Sequence, residues 1–200
     1  MEIEQQKALT ENLPSLRFSE VVIQTSRFKE LVDWYTVFLG QSPTVLTDDS
    51  GGVAWPGNRG IAFFRIYKEF PYTEVFGIFE FPDTELKNRQ RVDGPSIHHF
   101  QVRSKTYEDM FLRYEKYKAC GITPFQSFNH GPGTSIYYHD PDNNIAEISA
   151  VNYETEEDYI GYFQTEAYQK AFDGIPIDPD LFLAELRAGK PMSELVKVVV

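Results

Sequence analysis

Cysteine is nearly absent from this chain. Cys120 stands alone, which excludes an internal disulfide framework and suits a reducing compartment. Basic residues are also scarce: 19 Lys and Arg face 30 Asp and Glu, for a net charge of -11. That balance argues against nucleic acid or an anionic membrane as the main partner, because both require a basic face. No apolar run approaches the roughly 20 residues that a membrane helix needs. The opening stretch MEIEQQKALTENLPS is polar and acidic, unlike a signal peptide. What remains is 42% hydrophobic and 15% aromatic, the composition of a folded globular protein. The expectation is a soluble cytoplasmic protein whose partners are small molecules.

Residues 1–15 read as a polar N-terminal arm. LRFSEVVIQT (16–25) reads as a strand, and SRFKELVDWYTVFLG (26–40) places Phe28, Leu31, Tyr35, Phe38 and Leu39 at helical spacing. Ser26 is a candidate N-cap, and Gly40 suits the helix stop. PTVLT, GGVAWPG and GIAFFRIYK read as short strands separated by turn residues. The second half repeats the order. SIHHFQVRS is a strand and KTYEDMFLRYEKYKACG a helix, followed by the strands TPFQSF, TSIYYHD and NIAEISAV. This is the pattern of a duplicated βαβββ unit, with modules at 16–67 and 95–151. Residues 68–94 form a long connector that could be a lid or the arm of a homodimer. Beyond residue 152 the chain turns acidic and helical, a C-terminal extension over 152–200 expected on the outside of the sheet. The fold class expected is α+β: paired βαβββ modules forming an open β-cup with helices outside, plus C-terminal helices.

In such a module one sheet face packs under the helix and the other lines a cavity. Strand residues alternate faces. In the first strand Val21 and Ile23 pack, which sends Glu20 and Gln24 to the open face. In the strand of the adjacent His98 and His99, Phe100 and Val102 pack. His98 shares their side as a packing or hydrogen-bonding residue, and His99 and Gln101 take the open face. Ala146, Ile148 and Ala150 pack, leaving Ile145, Glu147 and Ser149 open; a weaker alternation allows Ser135 and Tyr137 inward. The same rule thus puts Glu20, His99 and Glu147 on one face, an oxygen and nitrogen ligand set for a divalent metal. A hydrogen-bonded structural histidine and solvated edge glutamates remain the alternative. Phe63 and its aromatic neighbours either line a cavity for a flat apolar substrate or form ordinary core. Among the remaining candidates, His139 reads as a surface or turn residue, GPG (131–133) as a hairpin turn, DPDNN as a turn, and Cys120 as buried packing.

FSEVVIQTSRFKELVDWYTVFLG, GPSIHHFQV and NHGPGTSIYYHDPDNNIAEI together resemble the vicinal oxygen chelate superfamily over residues 16–151. That superfamily includes glyoxalase I, epimerases, fosfomycin-resistance proteins and type I extradiol dioxygenases. The combination NHG…TS…YY…DPD…N…E, with the tail DPDLFLAELRAG, points to the extradiol branch. The resemblance implies Fe(II) held by two histidines and a carboxylate, with an aromatic diol or polyphenol chelated through vicinal oxygens. Carried across, the middle ligand falls on His99 and the carboxylate on Glu147. The active-site tyrosine falls on Tyr137 and the outer-sphere histidine on His130, where the two would assist proton transfer.

The first-strand ligand departs from that pattern, being Glu20 where ring-cleaving members have histidine. Nor does FEFPDTELKNRQRVDG offer the upstream acid–base histidine. A Glu–His–Glu set resembles the mixed sets of the glyoxalase and epimerase branches, in which the metal is a Lewis acid and no O₂ is involved. The cofactor expected is a divalent metal, Fe(II) first, with Mn, Ni, Zn or Mg as alternatives. The expected function is therefore an extradiol-like dioxygenase. The alternatives are a non-oxidative isomerase or cyclase and a metal-free binding protein.

Overall fold

A computed structural model describes residues 17–48, 57–69, 72–82, 97–171 and 174–199. The chain divides into two units, the first comprising residues up to Phe28 together with Gln41–Leu86, the second Lys29–Gly40 and Lys87–Val200. The expected N-terminal arm, and all of GGVAWPG except Gly57, lie outside the described residues.

The first unit holds strands β1 (Glu20–Thr25), β2 (Val45–Thr47), β3 (Ile61–Glu69) and β4 (Tyr72–Glu80) in the order β1-β4-β3-β2. β1 runs parallel to β4, and the other pairs are antiparallel. Helix α1 (Phe28–Leu39) connects β1 to β2, so the order is βαβββ. β4 lies in the stretch that read as a connector. Its alternation is blurred by consecutive apolar residues and by Gly77, which lets Val22 and a Phe63 ring close over the strand. Ala62, Phe64, Phe76 and Ile78 are fully buried on one face. Register places Glu20, Val22 and Gln24 on the opposite face with Phe63 and Phe79, whose rings meet at 5.8 Å.

The second unit repeats the plan with β5 (His99–Arg103), α2 (Tyr107–Ala119), β6 (Gln126–Asn129), β7 (Gly133–His139) and β8 (Ile145–Val151). β5 again runs parallel to β8. α2 starts at Thr106, whose hydroxyl accepts from Asp109 N (3.1 Å) and satisfies a donor the helix cannot. Tyr107, Met110, Phe111, Tyr114 and Tyr117, the stripe legible in the sequence, are all buried. From Lys29 onward α1 belongs to this unit: Phe38 stacks on Tyr117 (5.2 Å), and Tyr35 OH donates to Asp140 Oδ2 (2.8 Å). Asp140 opens the DPDNN turn, accepting from Asp142 N and Asn144 N.

The C-terminal extension contributes α3 (Glu156–Tyr162), α4 (Glu166–Lys170), β9 (Ile175–Pro176), α5 (Pro179–Arg187) and α6 (Met192–Leu195). Phe182 of α5 stacks on Tyr107 and Phe111 of α2. β9 was not expected; it pairs with β6 and makes the second sheet five-stranded, in the order β5-β8-β7-β6-β9. The α+β class, the duplicated βαβββ order and the C-terminal helices agree with the sequence reading.

Three local expectations are corrected. Ser26 does not cap α1; the helix starts at Phe28, and Thr25 Oγ1 takes the Arg27 N–H (2.7 Å). Cys120 is exposed, because it caps α2 after the apolar stripe has ended. His98 precedes β5 and so escapes its alternation; its exposed ring meets His99 at an Nδ1–Nδ1 distance of 2.7 Å instead of packing under α2. His139 is exposed and stacks on Phe125 (4.0 Å), a surface role as expected. Among the described residues no helix is long and apolar enough to cross a membrane.

Candidate active site

The two faces of the second sheet differ chemically, and register explains why the polar groups converge. Gln101 pairs with Glu147 across β5 and β8, and Tyr137 pairs with Glu147 across β7 and β8. Opposed residues share a face. His99, Gln101, Glu147, Ser149, Ser135 and Tyr137 therefore line one side, while Phe100, Ile136, Tyr138 and Ile148 occupy the other. The polar side lines an open cavity of about 250 Å³.

Glu147 is the centre of this face. It is 2% exposed, and a carboxylate so buried needs strong partners. Gln101 Nε2 donates to its Oε1 (2.5 Å), and its Oε2 lies 3.0 Å from His99 Nε2. Gln101 Oε1 in turn accepts from Arg103 Nη2 (3.2 Å), so a chain of hydrogen bonds leads from the guanidinium to the carboxylate. The two ends of the Gln101 amide have opposite neighbours, which fixes its orientation.

His130 and Tyr137 form the second pair, with His130 Nε2 at 2.9 Å from Tyr137 OH. His130 sits at the β6–β7 turn and stacks on Phe128 (5.7 Å). Burial, aided by the charge of Glu147, pushes the Tyr137 phenol up to about 12. It therefore stays protonated at neutral pH and acts as a hydrogen-bond donor.

The second unit brings together five sequence candidates: His99, Gln101, His130, Ser135 and Tyr137, around Glu147. Glu20, Gln24 and Phe63 share the face of the first unit's sheet opposite Ala62, Phe64, Phe76 and Ile78, with Glu20 and Gln24 exposed and Phe63 half-buried. Among the described residues no cluster of three or more His, Cys, Asp or Glu side chains forms a metal cage. His99 and Glu147 do fit as two of a metal's ligands. Bonds of about 2.1 Å at right angles separate neighbouring donor atoms by about 3.0 Å, the distance observed between Nε2 and Oε2.

Sequence reasoning missed Arg103 and Tyr159. Alternation from His99 and Gln101 reaches Arg103 directly. Tyr159 comes from α3 in the extension, and strand periodicity carries no signal for it.

Paired βαβββ modules with a histidine and a glutamate on the polar face are the architecture of vicinal oxygen chelate proteins. Two curated proteins of Rhodococcus globerulus narrow the class. The chain is 31% identical to biphenyl-2,3-diol 1,2-dioxygenase 2 and 27% identical to biphenyl-2,3-diol 1,2-dioxygenase 3. Each match spans 179 residues, 90% of this chain and 86% of the relative. The chain belongs to the vicinal oxygen chelate superfamily, in the family of these dioxygenases. No protein-family model matches it. Among solved structures, a mutant of the fosfomycin resistance protein of Listeria monocytogenes, complexed with Mn(II) and 1S,2S-dihydroxypropylphosphonic acid, shares the fold. Its TM-score is 0.50 at 16% identity, covering 72% of this chain and 97% of that one.

Proposed function

We propose that the protein is a metal-dependent enzyme resembling extradiol ring-cleavage dioxygenases, acting on an aromatic diol. The observation that carries this reading is the His99–Glu147 pair, with nitrogen and oxygen donors 3.0 Å apart on the wall of a polar cavity. His99 and Glu147 would hold the metal; the sequence pattern names Glu20 as the further carboxylate. A divalent metal, Fe(II) for ring cleavage, would supply Lewis acidity and redox chemistry toward the vicinal oxygens. To bind it, His99 must present Nε2 as a lone pair, which puts its proton on Nδ1, where His98 Nδ1 is placed to accept it. Gln101 keeps the Glu147 carboxylate in place by donating to the oxygen that does not face His99. Tyr137, with a phenol that keeps its proton, would donate a hydrogen bond to a substrate oxygen. His130 would exchange a proton through that phenol, its Nε2 lying 2.9 Å from the hydroxyl. Ser135 lines the same wall, and the sequence pattern names Gln24 and Phe63 as further substrate-binding candidates. The substrate class is taken from the names of the two Rhodococcus relatives. The protein is expected to work in the cytoplasm, with a homodimer as its assembly.

The non-oxidative reading is favoured by one observation, Glu20 in the place of a histidine. Two carboxylates neutralise a divalent ion and disfavour a further dianionic chelate, as in isomerases and cyclases that use the metal as a Lewis acid. Anaerobic reconstitution with Fe(II), followed by oxygen uptake on a panel of catechols, separates the two. Uptake that is lost in Glu147→Gln supports ring cleavage; bound metal with no uptake on any diol would overturn it. If the protein retains less than a tenth of an equivalent of metal, the metalloenzyme reading itself fails.

A further inference from the structure

Among the described cavity-lining residues Arg103 is the one Lys or Arg, in a chain with net charge -11, and its partners are neutral. Its Nη2 donates to Gln101 Oε1 (3.2 Å) and its Nε to Ser149 Oγ (3.4 Å). Among the described residues no carboxylate lies within ion-pair distance of it, although the other cavity charge, Glu147, is held by Gln101 and His99. A guanidinium with only neutral partners keeps donors for an incoming anion and matches a carboxylate's two oxygens.

From this we infer that Arg103 and Ser149 form an anion subsite, and that the substrate is an aromatic diol carrying a carboxylate. The assignment rests on the diol reading above and deepens it. Spacing supports it. Glu147 and Ser149 are two residues apart on β8, about 6.7 Å along the strand. That is the span of one benzene ring substituted at opposite ends. A ligand with its diol at His99 and Glu147 would thus place a carboxylate on the opposite side of the ring at Ser149 and the Arg103 guanidinium. Tyr159, which enters the cavity from α3, would close the wall at this end. A substrate without the anion leaves Arg103 to water, and one with a bulky apolar group there must displace that water from a charge.

Three probes separate the elements of this assignment: benzoate has the carboxylate alone, 4-methylcatechol the diol alone, and 3,4-dihydroxybenzoate both. Binding to the anaerobic, metal-loaded protein is measured by calorimetry for wild type, R103Q and R103K. Wild type should bind 3,4-dihydroxybenzoate at least roughly tenfold more tightly than 4-methylcatechol, the worth of one charge-assisted contact. R103Q should abolish that preference and the binding of benzoate, R103K should retain part of it, and any loss of 4-methylcatechol binding, transmitted through Gln101, should be smaller than the loss for 3,4-dihydroxybenzoate. Metal affinity is measured in parallel. If Arg103 served only to brace Gln101, its loss would weaken metal or diol binding and leave the anion preference intact, which would overturn the assignment. Equal affinity of wild type for the anionic and neutral diols would overturn it too. If benzoate binds in an Arg103-dependent way while 4-methylcatechol does not bind, the subsite stands and the diol reading falls. Should R103Q misfold, R103K and the salt dependence of benzoate binding still decide, because an Arg-held carboxylate must weaken as salt rises.

Discussion

Replacing Gly131 by alanine tests how the C-terminal extension is fastened to the active-site turn. Gly131 lies between β6 and β7 at φ +91°, and a Cβ there would lie 2.0 Å from Cζ of Tyr162. Tyr162, the last residue of α3, is 6% exposed. Gly121 at the end of α2 has a similar φ of +79°, but its added Cβ meets nothing within 4 Å. Both substitutions carry the cost of a left-handed L-residue, on the order of 1–2 kcal/mol. Only at Gly131 must the Tyr162 ring also be expelled, and losing a buried ring costs roughly 2 kcal/mol more. The sum is about 3–4 kcal/mol against about 1–2. At about 3 °C per kcal/mol for a chain of this length, the melting temperature should fall by about 10 °C in G131A and about 4 °C in G121A. Thermal and urea unfolding read these values. In the Tyr162→Ala background the clash is gone, so the added cost of G131A should shrink to that of G121A. Equal losses in the two single variants would refute the fastening of α3 by Tyr162.

Tyr138 is fully buried, and its hydroxyl has no hydrogen-bond partner among the described residues, so Tyr138→Phe should raise stability by about 1 kcal/mol. A lower urea midpoint for that variant would reveal a partner for the hydroxyl. Burial also holds the phenols of Tyr35, Tyr107, Tyr137 and Tyr138 above the ordinary 10. Unfolded tyrosines lose their protons near 10, whereas folded Tyr137 keeps its proton to about 12, so this contribution is intact below pH 10 and is lost as pH rises through 10–12. The urea midpoint should be lower at pH 11 than at pH 9, and an unchanged midpoint would contradict the burial assigned to these rings.

The second module was legible in the sequence because its signals are unmixed. Its strands alternate cleanly around His99, Gln101 and Glu147, and its helix carries five aromatic and apolar residues on one side. The open-face assignments of Gln101 and Glu147 followed from parity, whereas the weaker alternation of β7 only allowed Ser135 and Tyr137 inward. β4 was not legible, since Val75, Phe76, Ile78 and Phe79 are too continuously apolar to show a period of two, and Gly77 leaves a gap where Val22 and Phe63 close in. His98 failed for a different reason: alternation was extended one residue beyond the strand that produces it. β9 rests on a two-residue pairing with β6, too short for any periodic signal. Tyr159 reaches the cavity through tertiary packing, which local pattern does not encode.

The sequence repeat is not the unit in which this chain is built. α1 is encoded between strands of the first sheet, yet from Lys29 its side chains serve the second unit: Tyr35 donates to Asp140, and the Phe38 carbonyl accepts from both Arg113 and Tyr117. A gene cut between the two repeats would leave Asp140 buried without the tyrosine that donates to it, and Tyr117 without its acceptor. The half carrying His99 and Glu147 would begin life with a hole where Leu31, Tyr35 and Phe38 belong. The helix encoded in the first copy is part of the core of the second, so the second copy cannot be inherited without it.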